Sequence, residues 1–253
     1  MLFNSINFIL FFPVVFIVYY LMPKKFQYLW LLVTSYFFYM CWNAKYALLL
    51  LASTAVTYIG AILIDWVQVA VNDPWKKDKL KKAVVAVSVL INLGLLCFFK
   101  YGTWLLSNVN HVLHKNYSMP FDIILPVGIS FYIFQALSYT IDVYRGTIEV
   151  ERNFFRYALF VSFFPQLVAG PIERSGNLLE QLRKGHDFCF ENIRYGFLIV
   201  LLGYFEKIVI ADRVAAYVNV VFNNYEAYGS LQLILAILGF SVQIYCEIGR
   251  AHV

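Results

Sequence analysis

Polar residues in an otherwise apolar chain mark where chemistry is possible. Residues 163–174 read FFPQLVAGPIER, so an apolar run is broken by Pro165, Gly170 and Pro171 and then followed by Glu173 beside Arg174. Next to a membrane span, broken backbone and charge are tolerated only where they face protein or water, not lipid. The stretch therefore reads as a wall of an internal cavity. Gln135, Ser138, Asp142 and Arg145 recur at helical spacing on one face of another apolar segment. That face should look inward, because unpaired amide and carboxylate groups cost several kcal/mol in hydrocarbon. Hydrogen-bonded glue between helices and a cavity wall both account for it. Glu206-Lys207 and Asp212-Arg213 flank the apolar residues 208–211. They read first as a helix end at the interface with local ion pairing, and alternatively as charge lining a substrate route.

Other chemistries lack a signature. His111 and His114 lie beside Lys115, and His186 lies near Lys184 and Asp187. Solvated loops explain these histidines better than metal ligation, since no third ligand lies near in sequence. The four cysteines are scattered without a CxxC and read as buried free thiols. No Ser-His-Asp pattern, phosphate-binding loop or dinucleotide glycine motif occurs. The residues alone thus describe a protein with a polar cavity in the membrane, an enzyme or a transporter.

The elements that must position these groups are membrane helices. The 253 residues are 61% hydrophobic and only 14% charged, against about 25% charged in soluble domains. Mean hydropathy is +0.68. Uncharged or nearly uncharged runs at 3–22, 28–42, 46–64, 83–99, 123–141, 157–168, 196–210 and 231–246 predict an all-α polytopic integral membrane protein with about eight transmembrane or re-entrant helices. Residues 65–82, with five lysines, read as a charged loop, and 101–122 as a short helix at the interface. Residues 177–183 place Leu178, Leu179 and Leu182 on one face of an amphipathic helix. Pro13 is a candidate kink in the first span. The N-terminus lacks the basic region and cleavage site of a signal peptide. Lysines and arginines concentrate after the first, third and fifth spans, which by the positive-inside rule puts the N-terminus outside. The lysines form no continuous basic face, so nucleic acid is not an expected partner.

Four stretches resemble the membrane-bound O-acyltransferase family, in its bacterial alginate O-acetyltransferase and D-alanyl-transfer branch. They are the opening residues 1–13, residues 125–145 around PVGISFYIFQ, residues 164–174, and residues 203–213 (GYFEKIVIADR), where Glu206 replaces the first of two lysines. The resemblance implies a bacterial plasma-membrane enzyme that takes an acyl group from a cytoplasmic thioester donor, acetyl-coenzyme A or an acyl carrier protein. It delivers that group to a hydroxyl of an extracytoplasmic polysaccharide or cell-wall polymer, with a partner acyl-transfer protein as an option. A histidine deep in a funnel acts as general base. The two substrates meet in a thinned core, so the acyl group need not cross lipid.

None of His111, His114, His186 or His252 matches that base, so the catalytic histidine is expected beyond these residues and the chain alone is expected to be inactive. Residues 239–246 (GFSVQIYC) resemble a family segment that continues D-F-S-G-Y-S-D, whereas here EIGRAHV follows. Those last residues match the translation of a sequencing-adapter sequence. The expectation is one acyltransferase portion over 1–246 and read-through over 247–253. Gln135, Asp142, Gln166, Glu173 and Arg174 are the candidates for lining the substrate route. Pro165, Gly170 and Pro171 are the candidates for shaping its backbone. No bound cofactor or metal is expected. A transporter or polymer-export channel is the alternative, since broken helices and midplane polar groups fit that as well.

Overall fold

A computed structural model describes residues 3, 5–113, 125–167, 170 and 173–252. Among the described residues there are helices and turns and no strand. Two compact units follow one another, residues 1–186 and 187–253.

The first unit holds α1 (Ile6–Leu21), α2 (Lys24–Met40), α3 (Ala44–Ala70), α4 (Pro74–Leu113), α5 (Ile129–Arg145), α6 (Phe154–Ser162), α7 (Phe164–Leu167) and α8 (Ser175–Arg183). Local chemistry sets their ends. Ser5, Asn43 and Asn153 accept backbone N–H bonds at the starts of α1, α3 and α6. Gly128 opens α5 and Gly146 closes it, both at φ +73°, a left-handed conformation that glycine adopts without a Cβ penalty. α1 runs without interruption through Pro13.

The second unit holds α9 (Phe190–Tyr204), a seven-residue π-helical segment (Phe205–Ala211), α10 (Asp212–Asn223) and α11 (Ser230–His252). The helices Ala44–Ala70, Pro74–His111 and Ser230–Gly249 are long and apolar enough to cross a membrane. The protein is an all-α membrane protein.

The structure corrects several sequence-based boundaries. Most of the expected loop 65–82 is helical, and only residues 71–73 separate α3 from α4. Asp73 caps the amide of Trp75 at 3.0 Å and Pro74 takes the first helical position, so charge there decorates a helix that extends past the apolar span. Residues 101–113 continue α4 rather than forming a separate helix. Lys100 bounds the apolar run, but lysine does not break a helix. His114, Lys115 and the rest of 114–124 lie outside the described residues. α6, expected as a span, has nine residues, about 14 Å, far short of a bilayer core of about 30 Å. Residues 206–213 form no helix end, because the chain passes from α9 through the π segment into α10. All four cysteines are free, but only Cys246 is buried, so three of them do not fit the expectation of buried thiols.

The first unit's core centres on α5. Tyr132, Ile133, Ala136 and Tyr139 are fully buried against Leu50, Ala61, Tyr157 and Phe160 of α3 and α6. Several polar groups inside it are paired, whereas the Tyr132 hydroxyl has no hydrogen-bond partner among the described residues. Tyr157 donates to Thr57 at 2.7 Å, and Ser53 bonds the amide oxygen of Asn92. A second cluster joins Phe8, Phe11, Phe38 and Phe164.

Candidate functional site

The residues around Phe163 show how the broken stretch is built. α6 stops at Ser162 because the next hydrogen bond of its ladder is never made. The amide of Phe164 turns to Ser35 Oγ of α2 at 3.3 Å. The carbonyl of Phe160, its usual partner four residues back, accepts instead from Gln135 Nε2 of α5 at 2.9 Å. Pro165 brings no N–H to continue the ladder. The chain restarts as α7 on the carbonyl of Phe163, which accepts from the amides of Gln166 and Leu167. Two side chains from other helices therefore satisfy a helix break inside the protein, as buried backbone groups require.

Gln135 is buried and its Nε2 also lies 3.2 Å from Gln166 Oε1. Gly128, at the start of α5, lies so close to α7 that a Cβ there would stand 2.2 Å from the carbonyl oxygen of Leu167. The amide of Gly170 donates to Gln166 O at 3.0 Å, and a Cβ on Gly170 would meet Gln166 Cα at 2.5 Å. Tyr39 of α2 donates to Val127 O at 3.3 Å. Residues 127–135, 164–167 and 170, far apart in sequence, thus form one closely packed polar junction.

The other candidates lie elsewhere in the first unit. Asp142, two turns along α5 from Gln135, accepts from Ser175 Oγ at 2.8 Å at the start of α8. Glu173 is half-buried and Arg174 exposed just before that helix. The structure therefore joins Gln135 to Gln166 and Asp142 to the 173–175 segment, as two groups. Pro165 is exposed, Gly170 is buried, and Pro171 lies outside the described residues. The stripe on α5 runs from buried Gln135 to exposed Arg145. Its inner end makes the inter-helix bonds described above.

Sequence reading missed a buried ion pair. Glu151 is 5% exposed, and its carboxylate accepts from Arg183 Nε at 2.6 Å and from the amide of Asn153 at 3.0 Å. Its own amide donates to Tyr139 Oη at 2.9 Å. The pair ties the end of α8 to the loop before α6. Ser35 was missed too, though a small polar residue in mid-span is the usual signal of an inter-helix bond. Glu151 carried no such signal among the charges of residues 145–156.

A half-open cavity of about 290 Å³ lies between α1, α2, α6–α7 and the end of α8. Among the described residues, Pro165 is the one route-lining or backbone-shaping candidate on its wall. Phe12, Phe16 and Phe163 line one part; Lys24, Arg156 and Lys184 line another. His186 stands in the same wall, its Nδ1 3.1 Å from Tyr19 Oη, and its amide and carbonyl are bound by the side chain of Gln27. Lys184 donates to Glu180 at 2.7 Å, which holds that carboxyl below its usual range.

In the second unit, Lys207 bridges Asp212, 2.8 Å away, and Glu247 of α11. The expected local ion pairing is present there, within a π-helical segment. Such segments appear mostly as insertions in α-helices, often at functional sites. Among the described residues no cluster of three or more histidine, cysteine or acidic side chains is placed to hold a metal ion.

No family model matches the chain, and no solved structure matches it significantly. Curated relatives do. The peptidoglycan O-acetyltransferase of Helicobacter pylori is 31% identical across 98% of this chain and 51% of its own length. Two proteins named "Probable alginate O-acetylase AlgI" match 85% of the chain. The one from Pseudomonas aeruginosa is 32% identical over 41% of its length, and the one from Pseudomonas putida is 33% identical over 44%. The chain spans about half the length of the curated relatives it matches.

Proposed function

Because the chain belongs to the membrane-bound O-acyltransferase family, we propose that its protein transfers an acetyl or similar short acyl group to hydroxyls of an extracytoplasmic polysaccharide or cell-wall polymer. The donor is a cytoplasmic thioester, acetyl-coenzyme A or an acyl carrier protein. The acceptor oxygen attacks the thioester carbonyl carbon, the C–S bond breaks, and the acceptor proton passes by way of a general base to the departing thiolate. That base is a histidine outside these 253 residues, so the chain alone is inactive. Peptidoglycan and an alginate-like polymer are the acceptors that the relatives' names favour. A partner protein that carries the acyl group onward is compatible with this route.

The observation that carries the reading is the packing of Gly128 against Leu167. It brings Gly128 and Leu167, from two of the stretches that resemble the family, into one junction. Gln135, Gln166, Asp142, Glu173 and Arg174 border the substrate route in this reading, and Pro165, Gly170 and Pro171 fix its backbone. The protein crosses a bacterial plasma membrane several times with its N-terminus outside, as the basic residues after the first, third and fifth spans favour.

The test supplies membranes with acetyl-labelled acetyl-coenzyme A and either peptidoglycan or a polyuronate. A chain extended to the relatives' length is expected to form alkali-labile acetyl esters, and the 253-residue chain none. Failure of the extended chain on both polymers, or ester formation by the 253 residues alone, overturns the reading.

A further inference from the structure

An open hollow of about 340 Å³ lies where the start of α4 meets the end of α5. Pro74, Lys77, Asp78 and Lys81 of α4 line it with Tyr144 and Arg145 of α5. The lysines at this end of α4 divide by face. Lys76, Lys79 and Lys82 are exposed, and each has a partner: Asp73 at 4.0 Å, the Trp75 ring at 4.9 Å and Asp78 at 2.7 Å. Lys77 and Lys81, one turn apart, are half-buried on the wall of the hollow. Like charges at that spacing destabilise a helix, and Arg145 brings a third positive charge from α5.

Among the described residues no carboxylate answers these three cations. The acid on the wall, Asp78, is taken by Lys82 and by the Tyr144 hydroxyl, which donates to it at 3.0 Å. Asp142, one turn back on α5, accepts from Ser175 instead. Lys81 donates to the neutral amide oxygen of Gln68. The side chains of Lys77 and Arg145 make no hydrogen bond or ion pair among the described residues. The hollow also precedes the apolar run that begins at Ala83, so it is open to water and not to hydrocarbon. Its wall is polar apart from Pro74 and the Tyr144 ring.

We propose that this hollow binds the phosphomonoester or diphosphate group of a water-soluble ligand, held by Lys77, Lys81 and Arg145. Arg145 offers the planar fork that bonds two phosphate oxygens at once, and the lysines act as point charges beside it. Charge and shape select the ligand. A phosphomonoester carries about −1.5 to −2 at pH 7, against the single negative charge of a lipid phosphodiester. Three converging cations match the higher charge, and the polar wall gives an acyl chain nothing to lie along. Such binding is independent of the acyl-transfer reading.

The test titrates the full chain, in a non-ionic detergent, with inorganic pyrophosphate and follows binding by calorimetry at low and high salt. One saturable pyrophosphate is expected, bound more weakly as salt rises. Lys77→Gln and Arg145→Gln should each weaken it about tenfold or more. Lys79→Gln, which removes the same charge from the exposed face of α4, should leave it unchanged. The two site variants lie on different helices, so if one fails to fold the other carries the comparison. Absence of saturable binding overturns the proposal. So does equal weakening by all three substitutions, which marks a general charge effect. Phosphatidylglycerol binding more tightly than pyrophosphate overturns it as well, in favour of a lipid headgroup.

Discussion

The two units are built from helices of similar apolar character and bury them very differently. In the best 18-residue window of α3, 44% of residues are buried, against 11% in α11. α9 has no buried residue at all. The mid-span polar residues of α3 and α11 are buried differently: those of α3 face inward, whereas Ser241 of α11, bonded to Ile237 O, is exposed. α3 carries Ser53, Thr54 and Thr57, all fully buried, and α5 carries Gln135. Each bonds a neighbouring helix or its own backbone. α9 has no such residue in its apolar stretch. Apolar side chains are as content in lipid as in protein, so in a membrane they cannot specify which helices pack. Small and polar residues do.

Matched substitutions in the two units can break this comparison. The largest contrast is expected between two glycines. Gly128→Ala should destabilise the protein by about 2 kcal/mol or more, because the residue is left-handed and its Cβ would strike the Leu167 carbonyl at 2.2 Å. Gly196→Ala, in the middle of α9 with open space around it, should instead stabilise by about 0.5–1 kcal/mol. Thermal unfolding in detergent measures both, and equal effects would sink the comparison. Two tyrosines give the next contrast. Tyr157→Phe removes a buried bond to Thr57 of 2.7 Å and should cost about 1 kcal/mol. Tyr217→Phe loses only an exposed 3.4 Å contact to Gln232 O, and no change in melting temperature is expected.

The surfaces of the two units, unlike their interiors, should behave alike. Lys184→Gln just after α8 and Arg194→Gln in α9 each remove an exposed ion pair, and both should lie within the small range usual for such pairs. The Glu180 pair adds a pH signature. Its folded carboxyl is held below the usual value by Lys184, so its small contribution is complete above the unfolded pKa of about 4.3. It fades as pH falls through the lower folded value. Acid titration of the melting temperature should lose that component in Lys184→Gln.

The sequence made the membrane class and most helices legible, because length and polarity are local quantities. Two of its boundary errors share one cause. Lys100 and the lysines of 76–82 mark where apolar character ends, but a helix does not end there, since charged residues sit well on helices in water. The 163–174 stretch was legible as a break from Pro165 and Gly170. What holds that break was not. Ser35 and Gln135 are 128 and 28 residues away from Phe163 in the chain, and no local pattern links them to it. The Glu151–Arg183 pair was hidden for the same reason. The half-open cavity needs four segments at once, so only the fold displays it.

The break at Phe163 also dictates an order of assembly. The amide of Phe164 and the carbonyl of Phe160 have no local partner, and a membrane interior offers no water in their place. They are satisfied only once Ser35 and Gln135 have arrived. Residues 154–167 can therefore settle into their native path only after α2 and α5 are in position. Residues 164–167, which begin one of the stretches resembling the family, are among the last pieces of their unit to be set.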